Sequence, residues 1–192
     1  MTEANKPLAW LLALLTAAYA VVFRVLPYEM TAYMLWPFTA FGLYAGARLK
    51  WWQSLLLVLG AQAASDAVLF AWHQWPASVG MYPCYVLFAL LGRWLLTKSH
   101  APARVFAGVT VGYALFFLIT NAVAWAENSV PEYRVKNFDT LMLAYRKGLE
   151  FLQARPMQAF GQYAMAAVVF GAHAVLAKVW FPAEVVSPET AR

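Results

Sequence analysis

Six stretches of this chain are apolar over lengths that cross, or nearly cross, a lipid bilayer. They run over 8–26, 33–47, 51–72, 79–97, 104–126 and 156–181. A spanning helix needs roughly 20 mostly apolar residues. Backbone polar groups in lipid must be paired within the chain, and a helix does this segment by segment. Strand-like alternation is absent. The pattern predicts an all-α integral membrane protein with six transmembrane helices. The second stretch is the shortest, and its Pro37 predicts a kink or a break.

Composition removes the main alternatives. The chain has 192 residues, 63% hydrophobic and only 12% charged. A soluble domain carries charge on roughly a quarter of its residues. So little polar surface excludes a soluble enzyme, a nucleic-acid binder and a disordered chain. The net charge of +5 then reflects basic loops. The first stretch has no basic leader and no small-residue cleavage site before a soluble region, so it reads as a retained helix. One domain, 1–182, and a polar tail, 183–192, account for the whole chain.

Lysine and arginine positions set the expected topology. Arg48 and Lys50 sit between the second and third stretches, and Arg93, Lys98 and Arg104 flank the turn from the fourth to the fifth. Lys6 precedes the first and Lys178 ends the sixth. Loops 27–32 and 73–78 hold no Lys or Arg. The positive-inside rule places both termini, and the tail, in the cytoplasm. Trp10, Trp51, Trp52, Trp94 and Trp180 fall at the inner ends, and Trp72, Trp75 and Trp125 at the outer ends, as an aromatic belt requires. Only Trp36 is mid-span. In the long outer loop, Phe138, Leu141, Met142, Tyr145, Leu149 and Leu152 recur at helical spacing. They predict an amphipathic helix over 138–154, either gating the outer mouth or simply lying on the surface.

Polar residues inside spans are costly and mark candidate sites. Arg24, Ser65 with Asp66, Cys84 with Tyr85, Asn121, and Gln158 with Gln162 come from five stretches and share the outer half. They suggest a cavity open to the outside. The alternative is hydrogen-bonded helix glue. Asp66 is the sole acid within any stretch, and it either pairs with Arg24 or binds a ligand. Cys84 lies in Met81-Tyr82-Pro83-Cys84-Tyr85. A free Cys is commonly a small buried apolar residue; the sharper reading is a thiolate for a soft metal. His73, His100 and His173 are far apart in sequence, so no protein-only metal site is expected. A metal carried inside its own ring, such as cobalt in a corrin, needs one axial protein atom. No phosphate loop, HExxH or GxSxG motif is present.

Ala9, Ala13 and Ala17 form a small-residue stripe on the first stretch, and Gly42/Gly46 and Gly108/Gly112 form GxxxG pairs. Such faces let helices approach closely. The glycine pairs suit internal packing, and the alanine stripe could instead dock another membrane protein.

These features together resemble the S components of energy-coupling-factor vitamin transporters. The lone cysteine makes the chain most similar to the solitary cobalamin-specific BtuM type. The strings Arg24-Val-Leu-Pro27, Pro37-Phe-Thr-Ala-Phe-Gly42, Ser65-Asp66 and Phe116-Phe-Leu-Ile-Thr-Asn121 with Trp125 also resemble an uncharacterised group of bacterial membrane transport proteins. The resemblance implies a bacterial inner-membrane uptake protein, not an enzyme, with no intrinsic cofactor. It implies capture of cobalamin or a related corrinoid from the outer side. It further implies docking of a T component, with its ATPases, on Ala9, Ala13 and Ala17, or solitary action. Cys84 would ligate the cobalt, and its thiolate could displace the upper ligand. Trp72, Trp75, Tyr82, Tyr85 and Trp125 would supply flat walls. Arg24, Asp66, Asn121, Gln158 and Gln162 would meet the polar rim. Alternatives are an S component for another vitamin or small metabolite, and a membrane-embedded enzyme using Asp66 with Arg24.

Overall fold

The apolar stretches fold as helices, two of them shorter than a bilayer. The computed structural model describes residues 6–31, 34–77, 79–99 and 101–180. Tyr33, His100 and the tail 183–192 lie outside the described residues. In chain order the helices are α1 (Lys6–Val25), α2 (Tyr28–Thr31), α3 (Phe38–Arg48), α4 (Trp51–His73), α5 (Met81–Leu96), α6 (Pro102–Ala126), α7 (Phe138–Ala154) and α8 (Pro156–Trp180). A 3-10 turn, Pro131–Arg134, precedes α7. No strand occurs among the described residues.

Four helices, α1, α4, α6 and α8, are long and apolar enough to cross a membrane. Their outward faces are apolar: Leu15, Leu56, Phe106, Val168 and Val175 all stand exposed. Lipid suits such a surface, and water does not. The 16 residues of α5 are apolar but shorter.

The second stretch departs most from the sequence expectation. Its helix, α3, has 11 residues. At 1.5 Å per residue it covers about 17 Å, against roughly 30 Å of hydrocarbon. Pro37 marks the break. It stands at the helix N-terminus, and residues 35–37 are irregular. Every residue from Phe38 to Ala47 is buried. Helix α3 is therefore the axis of the bundle, contacting α1, α4, α5, α6 and α8.

Its closest neighbour is α5, and glycines set that distance. A Cβ on Gly46 would overlap the carbonyl oxygen of Ala89, and one on Gly92 would overlap the carbonyl of Leu43. A Cβ on Gly42 would strike Phe88. The α3 GxxxG pair thus faces α5, with Gly92 as its counterpart. The α6 pair also packs inward: a Cβ on Gly112 would lie 2.9 Å from Thr39 Cγ2.

The alanine stripe of α1 faces the interior of the bundle. Ala9 and Ala13 are 0% exposed and Ala17 is 7% exposed, within the core shared with α3. Their small size lets α1 approach α4, α3 and α8. The outward side of α1 carries Leu11, Leu14, Leu15 and Val22 instead.

Helix directions separate the molecule into two ends. Lys6, Arg48, Lys50, Arg93 and Lys178 lie where α1 and α4 begin and α3, α5 and α8 end. Lys98 and Arg104 flank the turn beside them. The opposite end holds Arg24, Asp66, α2 and α7. Helix α7 spans the amphipathic segment read from the sequence. Asn137 caps it, its Oδ1 accepting from Thr140 N at 2.9 Å. It packs chiefly on α6, where Tyr145 donates to the Leu118 carbonyl at 3.2 Å.

Candidate functional site

A polar network stands at the end opposite the basic one. Arg24, in the last turn of α1, reaches α4. Its Nη1 lies 2.6 Å from Asp66 Oδ1 and donates to Ser65 Oγ at 2.7 Å. Asp66 Oδ2 accepts from Tyr82 OH at 2.9 Å and from Gln62 Nε2 at 3.2 Å. Ser65 in turn donates to the Gln62 carbonyl at 2.8 Å. Oδ1 is within ionic range of the guanidinium but receives no well-directed hydrogen bond. Three helices, α1, α4 and α5, are joined here. A buried charge needs this degree of pairing, because desolvation is otherwise unopposed.

Beside the network opens a cavity of about 800 Å³. Arg24 is part of its wall, whereas Asp66 sits behind it. The walls are largely aromatic: Phe23, Trp36, Phe38, Trp72, Tyr85 and Phe116. Phe23 packs edge-on against Trp36 and Phe38, with ring centres 5.1 and 5.7 Å apart. The polar contributors are few, among them Glu29, His73, Arg155 and Gln158. Binding sites for small organic molecules have this mix of apolar wall and sparse polar groups.

The chain before and at the start of α3 builds one side of this cavity. Pro27, Glu29 and Thr31 contribute from the turn after α1, and Trp36 and Phe38 from the second stretch. Residues 35–37 are irregular, and among them Trp36 lines the cavity. Tyr19 OH donates to the Leu35 carbonyl at 2.9 Å. Gln162 Oε1 accepts from Thr39 N at 3.3 Å, occupying one N–H at the start of α3. Gly161 leaves room for Trp36, whose backbone N would lie 2.7 Å from a Cβ there.

A second chamber of about 460 Å³ adjoins the first beneath α7. Trp36, Met81, Phe116, Phe151 and Gln158 line both, so these side chains form the partition. Tyr133 and Lys147 stand on its far side. Lys147 Nζ lies 2.9 Å from Glu132 Oε1, tying α7 to the 3-10 turn. The hydrogen bond from Lys147 holds the Glu132 carboxyl below its ordinary range, and Glu132 raises the Lys147 ammonium. The bridge is therefore lost as pH falls through the lowered Glu132 value. Lys147→Met is expected to move the Glu132 titration upward, measured by NMR of the labelled carboxyl.

The expected single polar level resolves into separate places. Arg24, Trp72, Trp75, Tyr85 and Gln158 line the large cavity, and Asn121 and Gln158 line the second. Asp66 and Tyr82 belong to the network behind the wall. Gln162 is 1% exposed and serves α3. Trp125 turns to α7, donating from Nε1 to Thr140 Oγ1 at 2.9 Å, with Lys136 over its ring. Asn121 packs on Gly148 and donates to the Phe117 carbonyl at 2.7 Å. Cys84 is 1% exposed and lines neither chamber; its Sγ points to the Gly80 carbonyl at 3.9 Å. Among the described residues no group of three His, Cys, Asp or Glu could hold a metal ion. Phe23, Trp36, Phe38, Phe116 and Phe151 are not distinguishable as site residues by polarity. Trp36 alone carries a signal in the sequence, as the tryptophan outside the belt.

No curated protein and no solved structure matches the chain. Residues 3–184 match the model of DUF6580, a family of unknown function, and the chain belongs to that family.

Proposed function

We propose that this protein is a six-span membrane protein that captures an organic solute with flat apolar surfaces, a vitamin such as cobalamin, from the outer face and passes it across the bacterial inner membrane. The observation that carries the reading is the aromatic cavity of about 800 Å³, lined in part by Trp36 and Phe38 where the second stretch is interrupted. Short or interrupted spans are where membrane transporters place their solute sites. The gathering of Lys and Arg at the other end favours a cytoplasmic position for that end and for both termini. In this reading α3 and segment 27–37 together make the second crossing.

The vitamin S-component likeness fits an outward cavity, and cobalamin is the ligand it implies. Flat aromatic walls suit a corrin ring. The position of Cys84 favours binding through those walls over thiolate ligation of cobalt. The internal alanine stripe favours solitary uptake over docking of a T component on Ala9, Ala13 and Ala17. Asp66 is occupied by Arg24, Tyr82 and Gln62, which favours binding over catalysis.

Mass spectrometry of protein purified in mild detergent is expected to show a retained solute. Trp72→Ala combined with Trp36→Ala should lower its occupancy at least about tenfold, the loss of two aromatic contacts of roughly 1 kcal/mol each. If the solute is a corrinoid, its absorption spectrum should not change in Cys84→Ala. Occupancy insensitive to both tryptophans would overturn the assignment of the cavity.

A further inference from the structure

The far end of the bundle holds a different kind of cavity, about 200 Å³ in volume. Lys6, Trp10, Arg48, Leu49, Lys50 and Gln53 line it. Arg48 and Lys50 bring two cationic side chains to one small space, and among the described residues no Asp or Glu is in the wall. Like charges brought together repel, more strongly where water is partly excluded. Arg48 is half-buried, and its Nε is shielded from solvent with no hydrogen-bond partner among the described residues. A guanidinium N–H left in this state is a donor awaiting an acceptor.

The helix ends are consistent with this. Helix α4 begins at Trp51 beside the cavity, so its N-terminal N–H groups add positive potential. Helix α3 ends there too, and Arg48 in its last turn offsets the carbonyl end of that dipole. The depth is also informative. Trp51, Trp52, Trp94 and Trp180 are exposed around this end. Such a ring of tryptophans marks the headgroup level of a bilayer.

We propose that Arg48 and Lys50 form a binding site for a phosphate group, presented by an anionic lipid headgroup or as free phosphate. Arg48 supplies the directional donors, because a planar guanidinium matches phosphate oxygens. Lys50 adds a point charge. The volume equals that of about seven liquid waters, enough for a phosphate group and part of its hydration. The site is independent of the aromatic cavity at the opposite end.

The test follows the thermal midpoint of the full chain in neutral detergent during addition of phosphatidylglycerol, phosphatidylcholine or inorganic phosphate. Phosphatidylglycerol is expected to raise the midpoint, and phosphatidylcholine to do so much less. Lys50→Gln, at an exposed position, should weaken the phosphatidylglycerol response about fivefold, the effect of one lysine near an anionic surface. Arg48→Gln with Lys50→Gln should abolish it, and Lys98→Gln should leave it unchanged. A response to inorganic phosphate equal to that for the lipid identifies a soluble ligand at the same site. Should the double variant fail to fold, Lys50→Gln against Lys98→Gln decides. No response to any anion, or equal weakening by Lys50→Gln and Lys98→Gln, overturns the proposal.

Discussion

Gly46→Val is expected to abolish accumulation of folded protein in the membrane. The new side chain would have to occupy the position of the Ala89 carbonyl. Overpacking against mobile side chains costs about 1–3 kcal/mol. Here the obstacle is backbone, and α3 is enclosed by five helices, so neither partner can retreat. The cost should exceed that range and consume most of the stability of an ordinary domain, about 5–15 kcal/mol. Gly92→Val meets the Leu43 carbonyl and should behave alike. At Gly60 and Gly171 a methyl group would meet nothing within 4 Å, so alanine there should be tolerated. Detergent extraction followed by size-exclusion chromatography reads all four. A monodisperse Gly46→Val protein with an unchanged thermal midpoint would exclude the close crossing.

Removing one member of the Arg24–Asp66 pair is the second large effect. Asp66 is 6% exposed and Arg24 17% exposed. Stripping a partner from a buried pair costs about 3–5 kcal/mol, because the remaining charge stays uncompensated. Asp66→Leu and Arg24→Leu should each lower the thermal midpoint sharply. The double variant should recover much of the loss, since two apolar side chains leave no orphan charge. Tyr82 and Gln62 keep part of their cost, as both donors lose Asp66 Oδ2. A double variant no better than the worse single one would show that the two charges act separately.

The sequence disclosed the helices more fully than the site. Hydropathy located all four long helices, because lipid-facing length is a composition property. The period-3.6 pattern of 138–154 located α7 with its bounds, since that helix has one wet face and one dry face. The break at Pro37 was legible, but the burial of α3 on every side was not. A helix enclosed by others and a helix facing lipid use the same residues. Pairing of Arg24 with Asp66 was readable as the one acid and its nearest basic neighbour at that depth. The cavity walls were hidden for the same reason as α3: Phe23, Phe38 and Phe116 look like ordinary apolar span residues. Ala9, Ala13 and Ala17 left their neighbour open, because a smooth stripe serves an internal helix and a foreign one equally well.

The enclosure of α3 also dictates an order of biosynthesis. Its 11 residues are too few to partition into lipid as an independent span, and only α1 and the short α2 precede it. Its berth begins to close when Ala89 and Gly92 have left the ribosome and is completed only by α8. The nascent second segment is therefore expected to wait at the membrane surface or beside the insertion machinery until the later helices are made. In a Cys84→Ala background, a cysteine placed within 38–48 should react with a water-borne thiol reagent when the chain is halted after α4. The same cysteine should be hidden in the full chain.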